Sequence, residues 1–332
     1  MADKKISELT DYTPPIATDA LPVLDLTTGI TKKISYSNLH PIKFGGTGAD
    51  GALTVSSGNT AIDLGGAQVV TKNYTSISIT GTGKISFTNP HANGTIIILK
   101  SQGNVTLTSS STSMIDASNC GGAGGTGATS NYSAGTAGTA GYASSSAYLS
   151  ATAATGGGLG YEGNAFAGCG SGGGGVTTAG ENGNFYANPA GAAMSITLPN
   201  PSGSLLYRNI VVATGGGGGG GARYESNNGG NGGTGGGCVI IECGGYWNFT
   251  TTNCTFITGG KGQDVPYSPN AYWGPGAGGG SGMFVAWYNK LTANTGTILY
   301  AGGAGGVSPG TSMYGGAGGA GFVSITENVS FF

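Results

Sequence analysis

Apolar and polar positions alternate in short runs through the first part of the chain. Leu21-Pro22-Val23-Leu24-Asp25-Leu26 reads as a strand, Thr27-Thr28-Gly29 as a turn, and Thr31 to Leu39 as the returning strand. That pattern predicts a β-hairpin. A lone hairpin is marginal in water, so residues 1–44 are expected to form a small module that docks on something else. From residue 45 to 118, period-two runs recur between Gly, Asn and Ser turns: Ser76 to Thr80, Lys84 to Phe87, Thr95 to Leu99, Asn104 to Leu107. Their β-branched residues support strands. Only Glu8 to Asp11 offers one helical turn.

Beyond residue 118 the pattern becomes a recurring template: Gly, an apolar strand, a polar turn, a second short strand, then a Gly tract. One copy runs from Gly94 through TIIILK and MIDAS to GGAGG at Gly121–Gly125. Others start at Gly237 with CVIIEC, at Gly282 with MFVAWY, and at Gly321 with FVSIT. The last three start points are about 40–45 residues apart, a spacing typical of solenoids and arrays. The expected organisation is therefore all-β: a hairpin module (1–44), a β-rich stem or shoulder (45–118), and a glycine-rich repeat domain with exposed loops (119–332).

Composition sharpens this picture. Of 332 residues 71 are Gly and 12 Pro, while charged residues are only 8% and the net charge is −2. An electrostatic grip on nucleic acid or an acidic membrane surface needs clustered Lys and Arg, so neither partner is expected. Ordinary disorder combines low hydrophobicity with high net charge, and here 38% of residues are hydrophobic. Eight of the 12 basic residues lie at or before Lys100, whereas 60 of the 71 Gly follow residue 100. No run approaches 18 apolar residues, and MADKKISELT lacks the apolar core of a signal peptide, so neither membrane insertion nor secretion is expected. The balance suits a protein made in a cytoplasm and exposed on a particle.

A Gly tract has two fates. It can be a flexible linker, or it can form left-handed polyproline II-type helices with three residues per turn and about 3.1 Å rise. Such helices have no internal hydrogen bonds, so buried amides must bond to neighbouring tracts. Here the tracts, including Gly215–Gly221, alternate with apolar strands of similar length. That alternation favours tracts packed side by side over mobile linkers.

Sites for chemistry are sparse. His40 and His91 flank prolines and lack a local catalytic partner. Glu162, Glu181, Glu225, Glu242 and Asp264 read as surface charges, since nothing in the sequence pairs them for acid–base work. Gly83-Lys84 and Gly260-Lys261 lack the Ser or Thr of a phosphate-binding loop. Gly259 to Asp264 matches half of a calcium-binding nonapeptide, once, with Pro266 where an apolar residue belongs. The five Cys (120, 169, 238, 243, 254) form no C-x-x-C pair and read as small buried thiols. No catalytic residue, metal or cofactor is expected. The candidates for contact with a partner are aromatic: Tyr161, Phe166, Phe185, Tyr186, Tyr224, Tyr267, Tyr272, Trp273 and Tyr314. They sit beside Gly, Asn, Ser and Pro, the composition of adaptable recognition loops, although rings folded back over the strands would also account for them.

Lys5-Ile6-Ser7-Glu8-Leu9, Asp19 to Asp25, Thr31-Lys32-Lys33-Ile34-Ser35 and the later Phe44-Gly45-Gly46-Thr47-Gly48-Ala49 resemble a module found at the start of phage tail-fibre and other virion proteins. The glycine-rich remainder is similar to glycine-rich phage tail and fibre-tip adhesin domains. The resemblance implies a non-enzymatic virion protein of tail fibre or tail tip. It implies attachment to other virion proteins through Ile6, Leu9, Leu21, Val23, Leu24 and Ile34, a homotrimeric assembly, and contact with a host surface glycan or outer-membrane protein. The alternatives are a capsid or tail decoration fibre without receptor specificity, or a cellular glycine-rich surface or ice-binding protein.

Overall fold

A computed structural model describes residues 20–25, 30–35, 44–129, 134–141, 143–144, 150–152, 169–184, 195–197, 211–212, 222–223, 228–266, 272–309 and 312–328. The chain divides into two compact units, Met1–Phe44 and Gly45–Phe332. The first contains β1 (Ala20–Asp25) and β2 (Ile30–Ser35), paired antiparallel with Leu21 opposite Ile34 and Val23 opposite Lys32. These are the two arms read from the sequence. Ile6 and Leu9 lie outside the described residues.

The second unit is strand-rich, without a helix among its described residues. Its strands are β3 (Ala52–Val55), β4 (Asn59–Asp63), β5 (Val69–Tyr74), β6 (Ser76–Ile79), β7 (Lys84–Thr88), β8 (Ile96–Ser101), β9 (Val105–Leu107), β10 (Ile115–Asp116), β11 (Ala143–Ser144), β12 (Ser150–Thr152), β13 (Ser195–Thr197), β14 (Val211–Val212), β15 (Ala222–Arg223), β16 (Cys238–Phe249), β17 (Tyr272–Trp273), β18 (Met283–Asn294) and β19 (Phe322–Glu327). Three antiparallel pairs, β11–β14, β12–β13 and β15–β17, stand apart from the main stack.

The main stack is parallel throughout and has three sides. The first side orders β5, β8, the first half of β16, the first half of β18, then β19. The second orders β3, β6, β9 and the second halves of β16 and β18. The third orders β4, β7 and β10, continued by the Phe256 carbonyl accepting from Ala117 N–H and by the Cys254–Ile298 bridge. Followed in sequence, the chain visits the sides in turn and climbs one rung per circuit. This is a parallel solenoid. Period-two alternation predicts strands but not this pairing, because one strand's pattern does not record its neighbour's direction.

One apolar core fills the solenoid. Ile77, Ile79, Ile97, Leu99, Val105, Leu107, Val239, Ile241, Trp247, Phe249, Phe256 and Phe284 all belong to it. Trp247 stacks on Tyr288 at 6.4 Å, and Phe256 tilts against Phe284 at 5.4 Å. The outward positions of the first side are covered as well: Ile240, Met283 and Val285 are buried. This explains why TIIILK, CVIIEC and MFVAWY read as unbroken apolar runs rather than alternating ones. Residues 45–118 and 238–327 share this stack through the β8–β16 ladder, so the composition change near residue 118 falls inside one compact unit.

Glycine-rich arms leave the solenoid at a single corner, between the third and first sides. In the early rungs that corner is a short turn, residues 64–68 and 89–95. Later the chain between successive strands of those two sides spans residues 117–237, 258–282 and 300–321, and the described parts of these spans form the arms. Within the arms, backbone hydrogen bonds recur every third residue. Gly230, Gly233 and Gly236 donate to the carbonyls of Gly274, Ala277 and Gly280 at 3.0, 2.7 and 2.8 Å. Gly229, Gly232 and Gly235 of the same tract donate to Ala128, Gly125 and Gly122. The carbonyls of Asn231 and Thr234 accept from Gln263 and Gly260. Each class of residue, counted in threes, therefore serves a different neighbour. The tract at 274–282 is buried along its length and bonds to five others. A Cβ at Gly278 would fall onto the Gly303 carbonyl, so tracts at this spacing admit no side chain there. Gly215–Gly221 lies outside the described residues.

The sequence reading is corrected at Glu242. It is buried rather than a surface charge, 3.2 Å from Lys100 Nζ, and also accepts from Gly45 N–H at 3.2 Å. Gly45 is confined there with φ +82°, and a Cβ would meet Ser101 and Gly244. All five Cys are buried and none is in a disulfide. Burial pushes Cys120 and Cys169 up to about 12 and Cys254 to about 11, which leaves them inert thiols.

Candidate functional site

The arms define two ends of a bundle. At the solenoid end, Gly237 donates to Ala117, Gly282 to Ile257 and Gly321 to Tyr300. At the far end, Gly229 donates to Ala128, Gly230 to Gly274, Gly170 to Pro275, Val265 to Val307 and Asn184 to Tyr314. An extended tract of six residues separates these ends by roughly 19 Å. Two small apolar clusters close the far end, Ala128 with Val265 and Trp273, and Cys169 with Met313.

Trp273 is therefore not the exposed contact that its neighbourhood of Asn, Tyr, Gly and Pro suggested. It is 5% exposed and packs in a cluster with Ala128 and Val265, which come from two other tracts. Its indole Nε1 has no hydrogen-bond partner among the described residues. Tyr272 lies beside it in β17, with its backbone opposite Arg223. Tyr314 is 52% exposed and bridges to Val307, itself 45% exposed. Tyr161, Phe166, Phe185, Tyr186, Tyr224 and Tyr267 lie outside the described residues. The described neighbours Asn184 and Pro266 precede Phe185 and Tyr267 in the chain, and both belong to tracts that reach this end.

Two polar side chains hold the exposed pair in place, and neither was singled out by sequence for this role. Asn184 Oδ1 accepts from Tyr314 N–H at 2.8 Å, Asn184 Nδ2 donates to the Ser312 carbonyl, and Cys169 Sγ donates to Asn184 Oδ1 at 3.2 Å. Asp264 accepts from Lys261 Nζ at 2.7 Å and from Val307 N–H at 2.9 Å. Those bonds, the lysine's first and the amide's second, lower the Asp264 pKa. Asp264 is thus committed to a cation and an amide rather than to the calcium-like ligation its motif hinted at. The available signal for Asn184 was its place as a side-chain acceptor at the end of a Gly-containing tract, Asn182-Gly183-Asn184.

Elsewhere polar groups serve structure. His91 accepts Asn93 N–H at Nδ1 (3.1 Å) and donates its own N–H to Thr95 Oγ1, shaping a turn. Asp116 takes Lys84 at 3.1 Å and Ser118 at 2.6 Å; burial raises its pKa, but these bonds outweigh burial and lower it overall. Among the described residues no three His, Cys, Asp or Glu gather as a metal site. No helix among them is long and apolar enough to cross a membrane. Set against protein families, curated proteins and solved structures, the chain matches none of them.

Proposed function

We propose that this chain is a structural, non-enzymatic virion protein of a tail fibre or tail tip, and that its glycine tracts are packed polyglycine II-type helices. The module of residues 1–44 attaches it to other virion proteins. The far end of the bundle meets a host surface glycan or outer-membrane protein, and the assembly is a homotrimer. Hydrogen bonding at three-residue intervals supports the helix reading, because it is what three residues per turn requires. The convergence of chain segments distant in sequence, near residues 128, 169, 184, 229, 265, 274 and 307–314, on one end of the bundle carries the recognition reading. An exposed ring on a rigid support offers contact area with little ordering cost.

The test is adsorption of particles carrying Tyr314→Ala with Val307→Ser. Normal assembly with at least tenfold slower adsorption is expected. Normal adsorption would contradict recognition at this end. Immunolabelling separates this reading from a decoration fibre: signal at the tail tip is expected, and signal spread over the capsid would reject it.

A further inference from the structure

The two ends of the solenoid are stepped, and the steps are complementary. At the first end, the second and third sides begin one rung before the first: β3 and β4 precede β5. At the other end the first side runs one rung further, because β19 extends beyond the last strands of the other two sides. A second copy placed above β19 would bring its β3 and β4 level with β19 and its β5 one rung higher. Together these strands complete one three-sided rung.

Exposure marks the end beyond β18, whereas Leu53 at the first end is only 8% exposed. The core column Leu53, Ile77, Val105, Trp247, Leu291 follows from the ladder registers. Ile77, Val105 and Trp247 are at most 1% exposed, yet Leu291 is 52% exposed. It occupies a core position above which no described strand lies. On the first side Val323 and Ile325 at one end, and Val70 at the other, are only partly buried against the core. At the first end, a Cβ at Gly51, Gly58, Gly65 or Gly66 would have no described atom within 4 Å. Glu327 is exposed at one end, and the inward-facing register of Lys72 lies at the other. Continuing the columns sets the Glu327 position of one copy directly below Tyr74 of the next, two residues from Lys72.

From this geometry we propose that copies of this chain associate head to tail through their solenoid ends, Leu53 of one copy covering Leu291 of the previous one. The interface joins two different surfaces, so it does not close on itself and extends into rods. Open strand edges are the usual template for such pairing. The inference is independent of host recognition.

The open edge can be blocked without touching the internal ladder. Gly51 and Val55 carbonyls accept from Thr75 and Thr80, which turns the odd residues of β3 toward β6. Alternate residues of a parallel strand serve opposite neighbours, so Thr54 presents its N–H to the open edge. Thr54→Pro removes that donor at an edge position where proline is tolerated. Leu291→Glu places a charge on the opposite end. Full-length protein is examined by negative-stain electron microscopy and sedimentation velocity over a hundredfold concentration range. Wild type and Thr54→Ala are expected to form rods that lengthen in whole units with concentration, while either blocked variant alone stays at one unit. Mixing the two variants is expected to give particles two units long and no longer, since each retains one working end. Unchanged melting temperatures identify folded variants. Wild type that stays at one unit, rods unaffected by Thr54→Pro, or a mixture that fails to pair would overturn the proposal.

Discussion

The solenoid and the glycine bundle occupy one chain but are held together by different forces. In the solenoid, aromatic and branched side chains fill a common core, and backbone bonds run between flat neighbouring strands. Among the described residues of the bundle, buried apolar side chains gather only in small clusters such as Ala128 with Val265 and Trp273, and Cys169 with Met313. Each tract instead hands its amides to different neighbours in rotation, and the absence of Cβ atoms lets backbones approach closely enough to accept them. Burial of apolar area stabilises the first at about 25 cal/mol per Å². Each backbone bond nets only about 0.5–1.5 kcal/mol, so the bundle depends on many bonds made together. The two regions should therefore fail under different substitutions.

The largest effect is expected in the solenoid. Trp247→Ala should cost about 3–5 kcal/mol, as for other buried aromatic truncations. Chemical denaturation would measure it, and a loss below 1 kcal/mol would show that the ring is not central to the core. Gly278→Ala should cost about 1–3 kcal/mol by forcing its neighbours apart. The loss should appear in the bundle, with amide exchange accelerated at Gly303 and Gly318 while β6 and β9 stay protected. An equally conservative change at solvent-facing Thr126 should do neither.

Smaller effects are expected at the far end. Asn184→Ala removes the bonds that hold Ser312 and Tyr314, and should cost about 1–2 kcal/mol of local stability, read as faster exchange at residues 312–314. Acid should act through Asp264. Its folded pKa lies below the ordinary carboxylate value, so its contribution is complete above that value and is lost as pH falls through the lowered one. The group is largely exposed, which keeps the effect slight. Exchange at Val307 should accelerate only on acidification into that range, and Asp264→Asn should remove the dependence.

Much of the solenoid was legible in the sequence, because apolar runs bounded by glycine turns encode strands and their spacing. The start points at Gly237, Gly282 and Gly321 precede Cys238, Met283 and Phe322, which the ladders align side by side. The parallel pairing was not legible, since it depends on where the next circuit returns. Nor was the unity of residues 45–118 with the later rungs, because glycine content changes between two strands that pair. Glu242 and Trp273 misled for a shared reason. Each looks exposed by residue type or neighbours, and each is buried by segments far away in sequence. The far end was legible only as a set of aromatic residues, whereas Asn184 and Asp264, which hold it, carry no pattern of their own.

Hydrogen–deuterium exchange at single-residue resolution across Gly274–Gly282 tests the central claim most directly. Three-way backbone bonding predicts that the amides of Gly276, Gly279 and Gly282 exchange as slowly as those of β16. Exchange at the rate of an unstructured glycine peptide would contradict it.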